Sequence, residues 1–156
     1  MKVLFVCSGN ICRSAMAAEY ARCRLASSGL SHILVESAGT LGIEGAHATP
    51  EAIEVLLDAG LDLGRHRSRG IATHDLRTAD LVLVMTVDHL SELERRFPSG
   101  TAKRFLLRAF EEGPAPRDGA LDLDDPIGEP IETYREVFAV IRTCVDQLVL
   151  HLKHAW

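Results

Sequence analysis

The feature that most constrains this chain is an alternation of short apolar runs with stretches of helical period. Val3-Leu4-Phe5-Val6 is continuously apolar and rich in strand formers, as expected of a strand buried on both faces. A polar, glycine-containing loop follows from Cys7 to Cys12. Met16, Tyr20, Cys23 and Ala26 then recur at spacings of four, three and three, a helix face that Gly29 is placed to end. Ile33 to Glu36 reads as a second strand. Thr49-Pro50-Glu51 is a helix start with a capping hydroxyl and a first-turn proline. Its buried face is expected on Ile53, Leu56 and Leu57, with Gly60 as the stop. Leu81 to Met85 predicts a third strand. Thr86 then caps a helix carrying Val87, Leu90 and Phe97 and closed by Pro98, and a fourth strand is predicted at Phe105 to Leu107. Residues 111–130, rich in Gly, Pro and Asp, read as a long loop. The last helix, Ile131 to Lys153, keeps a period near 3.6 through Tyr134, Phe138, Ile141, Val145, Leu148 and Leu152. Strands alternating with helices imply an α/β fold, a parallel sheet covered on both faces and joined by right-handed crossovers. Ligands of such sheets bind beyond the carboxyl ends of the strands. That points to the loop from Cys7 to Arg13.

The length of 156 residues fits a single domain, 1–156. Hydrophobic residues at 47% and charged residues at 25% are ordinary for a globular protein and exclude the disordered and collagen-like classes. A net charge of −5 disfavours nucleic acid as a partner. No apolar run approaches the roughly 20 residues a membrane helix needs, so no membrane partner is expected. The N-terminal apolar stretch breaks at Ser8-Gly9-Asn10, too early for a secretory core of about 7–15 residues, so a cytoplasmic location is expected. The four cysteines Cys7, Cys12, Cys23 and Cys144 form no CxxC pair. Neither a zinc ribbon nor a thioredoxin-type couple is written here. No HExxH or Cys/His zinc spacing appears either, so no metal is expected.

The chemistry lies in Cys7-Ser8-Gly9-Asn10-Ile11-Cys12-Arg13-Ser14. The N–H groups of a tight loop at a helix N-terminus form an anion nest. Gly9 and Asn10 tolerate the positive φ such a loop requires. The planar fork of Arg13 can hold two phosphate oxygens at once. Thiols at helix N-termini favour the thiolate, the nucleophilic form. Such a mechanism also needs a proton donor from outside the loop. Asp125 lies in the long loop with Pro126 behind it. A calcium loop starting at Asp122 fails, because Pro126 and Ile127 fall where an oxygen ligand and glycine belong.

These residues make the chain resemble the low-molecular-weight protein tyrosine phosphatases. The likeness covers nearly the whole sequence. It includes Cys-x-Gly-Asn-x-Cys-Arg-Ser at 7–14, Ser37-Ala38-Gly39-Thr40, His66-Arg67-Ser68-Arg69, Ala79 to Thr86 and Asp125-Pro126. The resemblance implies a three-layer αβα sandwich with a four-stranded parallel sheet, the phosphate loop joining strand 1 to helix 1, and no metal or organic cofactor. It implies that Cys7 is the nucleophile that becomes phosphocysteine, that Arg13 binds phosphate, and that Ser14 donates to the Cys7 sulfur. It further implies that Asn10, Ser37 and His66 brace the loop and that Asp125 is the general acid. Substrates would be phosphorylated proteins or peptides, and inorganic phosphate the product.

The chain departs from the family pattern in places. Ala15 stands where most members have proline, and Ile127-Gly128 and the Leu41-Gly42-Ile43 segment lack the aromatic residues of eukaryotic members. A bacterial branch that the chain resembles includes protein arginine phosphatases, which carry threonine where this chain has Ile11. Ile11 has no hydroxyl, which favours phosphotyrosine. Arsenate reductase chemistry needs resolving thiols where this chain has Val82, Val84 and His89. A silent phosphate-binding module would need neither a thiol at 7 nor an acid beside Pro126. Cys12, inside the nest, is read either as packing or as a redox partner of Cys7. Cys23 and Cys144 read as core, His47, His74 and His89 as scattered, and the arginines around His66 as a solvated charge run.

Overall fold

The computed structural model describes residues 1–100, 102–111 and 120–155. Four strands form one parallel sheet in the order β2-β1-β3-β4: β1 is Lys2–Cys7, β2 Leu34–Gly39, β3 Leu81–Val84 and β4 Lys103–Leu106. Helices α1 (Arg13–Ser27), α2 (Pro50–Asp58), α3 (Thr73–Thr78), α4 (Val87–Arg96) and α5 (Ile131–Ala155) connect and cover it. The expected α/β sandwich is therefore the architecture found.

The two-residue period of the strands divides the core into two apolar layers. Val3, Phe5, Leu81 and Leu83 face one side, where Met16, Ala17 and Ala21 of α1, Leu56 of α2 and Ile141 and Val145 of α5 meet them. Leu4, Val6, Val82 and Val84 face the other side, against Leu76 of α3 and Leu93 of α4. Both layers are dry, so the continuous apolar runs are what the sheet demands. Strand β1 lies between β2 and β3, so the connections after β1 and after β3 leave from neighbouring strand ends on opposite sides. That is the switch point at which an open sheet leaves a crevice.

Several element details differ from the sequence reading. Cys23 is exposed, not core. The buried stripe in the later turns of α1 runs through Ala17, Ala21 and Leu25, an i, i+4 repeat from which Cys23 turns away. Cys144 is buried, as read, and burial pushes its thiol up to about 12. Helix α2 buries Ala52, Val55 and Leu56 while Leu57 points outward. The fourth strand begins at Lys103, and Leu107 already opens a 3-10 turn ending at Phe110. Helix α3 carries no apolar repeat that would have announced it. The charge run after His66 is not wholly solvated: Arg69 bridges Asp75 at 2.9 Å and Glu36 at 3.1 Å. Within the long loop, residues 112–119 lie outside the described set, as do Thr101 and Trp156. Among the described residues, no helix is long and apolar enough to cross a membrane.

Candidate active site

Cys7 is the last residue of β1, and the chain turns directly from it into α1. Asn10 makes this turn possible. It is the one non-glycine residue with positive φ among those described, at 58°. Gly9 does not adopt the positive φ expected of it. Asn10 is fully buried and held at both ends of its amide. Its Nδ2 donates to Ser14 Oγ at 2.8 Å, and its Oδ1 accepts from the Arg69 N–H at 3.1 Å.

Further bonds fix the loop from outside. His66 Nε2 donates to the Asn10 carbonyl at 2.6 Å, and burial, the leading cause, lowers the imidazole's pKa. Thr40 N–H donates to the Cys7 carbonyl at 2.9 Å and Leu41 N–H to the Ser8 carbonyl at 3.0 Å. Gly39 must be glycine here, since a Cβ would stand 2.5 Å from the Ser8 carbonyl oxygen. Ser37 pairs with Phe5 inside β2, two residues below the level of Cys7. The bracing reaches the loop from Gly39 to Leu41, His66 and Arg69.

The sulfur of Cys7 accepts from the Asn10 N–H at 3.3 Å and lies 2.9 Å from Ser14 Oγ. Because the Asn10 amide already donates to Ser14 Oγ, the Ser14 hydroxyl has its own proton free for the sulfur. The first turn of α1 has no acidic residue and no side-chain cap. Its N–H groups therefore present an uncompensated positive end to the loop.

Arg13 is only 4% exposed, which fixes its guanidinium instead of leaving it to solvent. Nη1 donates to the Leu123 carbonyl at 2.9 Å, and Nη2 lies 3.4 Å from Asp125 Oδ2. Asp125 is itself oriented by the Ile127 N–H, which donates to Oδ1 at 3.2 Å. One cleft is lined by Cys7, Ser8, Gly9, Cys12, Arg13 and Asp125, with Ile11, Leu41, Ile43 and Ile127 forming an aliphatic mouth. A thiol, a buried cation and a carboxyl from a separate loop thus border one space. That set is suited to in-line displacement at phosphorus, with the amides and guanidinium receiving the charge on the phosphoryl oxygens.

Cys12 sits in the same loop, its sulfur 3.5 Å from Thr49 Oγ1 and 3.6 Å from Tyr134 Oη. Burial is the main reason its thiol is raised above the ordinary value. The residue that the sequence reading passed over is His89. It is 5% exposed and its Nε2 lies 2.8 Å from Ser8 Oγ. The available signal was its i, i+4 spacing from Leu93, the other buried residue of α4.

The family model for low molecular weight phosphotyrosine protein phosphatases matches residues 2–155. The chain belongs to that family. The phosphatase is 38% identical over 152 residues to a protein-arginine-phosphatase of Geobacillus stearothermophilus, covering 97% of this chain and 96% of the relative. It is 35% identical over 151 residues to the probable low molecular weight protein-tyrosine-phosphatase EpsP of Ralstonia solanacearum, covering 97% and 95%. Its fold superposes on a crystal structure of a protein tyrosine phosphatase from Entamoeba histolytica with a TM-score of 0.90, at 26% identity, over 99% of this chain and 98% of that one. The relatives thus divide between two substrate names on one fold.

Proposed function

We propose that the phosphatase hydrolyses phosphotyrosine in proteins through a phosphocysteine intermediate. The observation that carries the proposal is Cys7 Sγ held between the Ser14 hydroxyl and the Asn10 N–H in a cleft shared with Arg13 and Asp125. In the first step the Cys7 thiolate attacks phosphorus. An S–P bond forms as the P–O bond to the tyrosine breaks, and protonated Asp125 gives its proton to the departing phenol oxygen. In the second step the Asp125 carboxylate takes a proton from water. The oxygen of that water attacks phosphorus, the S–P bond breaks, and inorganic phosphate leaves with the thiolate restored. Arg13 and the loop amides hold the three non-bridging oxygens throughout. Turnover of p-nitrophenyl phosphate tests the chemistry, and an inert protein that still binds phosphate would indicate a silent binding module.

Ile11 is the ground for placing phosphotyrosine first, because it adds no hydroxyl to the cleft wall. Phosphoarginine is the second reading. It is favoured by the aliphatic mouth, by the carboxylates of Asp88, Glu92, Asp122 and Asp124 in the hollow beside Arg13, and by the name of the Geobacillus relative. Phosphotyrosine and phosphoarginine peptides turned over by one preparation distinguish the two. The Ile11→Thr variant is expected to shift the ratio toward phosphoarginine by up to about tenfold, the worth of one added hydrogen bond. A wild type that already prefers phosphoarginine would overturn the ranking.

The same reading makes Cys7 the thiol that peroxide attacks. Two-electron oxidation gives a Cys7 sulfenic acid, and condensation with the Cys12 thiol releases water and forms a disulfide that cellular thiols reduce. Peroxide is therefore expected to inactivate the phosphatase reversibly, and Cys12→Ser to make the loss irreversible. Peptide mapping after mild oxidation checks this. A dominant Cys7 sulfinic acid beside a free Cys12 thiol would assign Cys12 to packing.

A further inference from the structure

The first turn of α4 presses a neutral histidine against the loop. His89 Nε2 lies 2.8 Å from Ser8 Oγ, while Nδ1 is buried without a hydrogen-bond partner among the described residues. Burial above all, and then the Arg13 guanidinium, push the imidazole down to about 4. It therefore carries a single N–H across the neutral range. Which nitrogen holds that hydrogen follows from the surroundings. A buried N–H with no acceptor is the rarer defect, and a nearby guanidinium favours a lone pair over a second hydrogen. The hydrogen belongs on Nε2, and Nδ1 is the bare lone pair.

Ser8 Oγ is then an acceptor toward His89, and its own proton must point elsewhere. Ser8 borders the cleft that holds Cys7, Gly9, Cys12 and Arg13. We propose that His89 is a positioning residue: by donating Nε2–H to Ser8 Oγ, it turns the Ser8 hydroxyl proton into the phosphate cleft as a side-chain donor to the phosphoryl oxygens. Topology makes this arrangement available. Ser8 follows β1 and His89 follows β3, and these adjacent strands end at the same edge. The inference rests on the cleft being the phosphate site proposed above.

A donor to oxygens that are charged in both ground and transition states acts mainly on binding. His89→Leu is expected to raise KM for p-nitrophenyl phosphate and the inhibition constant of inorganic phosphate together by about tenfold or more. The change in kcat should stay within about threefold. His89→Gln, whose amide N–H extends about as far as Nε2, should recover most of the loss. In a Ser8→Ala background, His89→Leu should add little, because the two residues act as one unit. Should His89→Leu fail to fold, Ser8→Ala and His89→Gln carry the test: the first must raise KM and the inhibition constant in parallel, and the second must leave both near wild type. A fall in kcat at unchanged KM, equal effects of Leu and Gln, or full additivity with Ser8→Ala would overturn the proposal. A wild type that neither turns over p-nitrophenyl phosphate nor binds inorganic phosphate would overturn both this and the reading beneath it. An active wild type indifferent to His89 would overturn this one alone.

Discussion

Cys7→Ser is expected to reduce hydrolysis to below about a hundredth of wild type while inorganic phosphate still binds. Two separate parts of the site produce the two outcomes. Turnover needs a sulfur anion at the end of β1, and a serine hydroxyl there has no base beside it, since its neighbours are the Ser14 hydroxyl and the Asn10 N–H. Phosphate binding rests on the loop amides, the positive end of α1 and Arg13, none of which the substitution removes. Burst kinetics in wild type and isothermal titration of phosphate with the variant measure the two halves. Residual turnover above that hundredth would count against covalent catalysis by Cys7. Loss of phosphate binding along with turnover would show that the sulfur helps to shape the nest. Arg13→Lys is expected to fail in the opposite sense, with binding and turnover falling together. A point charge cannot hold the Leu123 carbonyl and a second acceptor in the fixed plane of a guanidinium.

What the sequence disclosed, and what it hid, follows from which residues carry the signal. Strands β1 and β3 were legible because dry layers on both faces require unbroken apolar runs, and Val3–Val6 and Leu81–Val84 are such runs. Helix α1 was legible in existence and, through the buried Met16 and Tyr20, in the facing of its first turns, but Cys23 misled. The later contact stripe runs through Ala17 and Ala21, too small to dominate the periodicity, and on to Leu25. Six-residue α3 was invisible because so short a helix buries a single apolar residue, Leu76, and its other fixed point is polar. Asp75 is 3% exposed, receives the Ala72 N–H and pairs with Arg69, and this network holds it below the usual carboxylate range despite its burial. At the site, the loop motif was explicit, while the demand for glycine at position 39 is a matter of space against Ser8 that no local pattern records. His89 was lost for the related reason that its meaning depends on β3 lying beside β1. A histidine 81 residues away from its partner in sequence has no local signature of the contact.

Asp125→Asn is expected to slow hydrolysis of phosphotyrosine, whose phenolate leaves poorly, by about 100–10,000-fold. Asparagine matches the shape of aspartate and can keep the Oδ1 contact with the Ile127 N–H, so the loop should stay in place and the loss should be chemical. The size of the loss should track the need of the leaving group for a proton. With p-nitrophenyl phosphate, whose anion departs readily, the first step loses little. The phosphocysteine then becomes the slower species to clear, because the base for water is also gone. Accumulation of labelled phosphocysteine in the variant, captured by rapid acid quench, is the corresponding signature. The substitution also removes the carboxylate 3.4 Å from Arg13 Nη2, which leaves the phosphoryl group without a charged competitor for that nitrogen while Nη1 stays on the Leu123 carbonyl. Phosphate affinity should therefore hold or rise as turnover falls, the reverse of what a loosened loop would give. Equal losses on both substrates in the rate of phosphocysteine formation, read in single turnover, would remove Asp125 from the acid role. Asp124, which borders the same hollow beside Arg13, would then be the carboxyl to substitute.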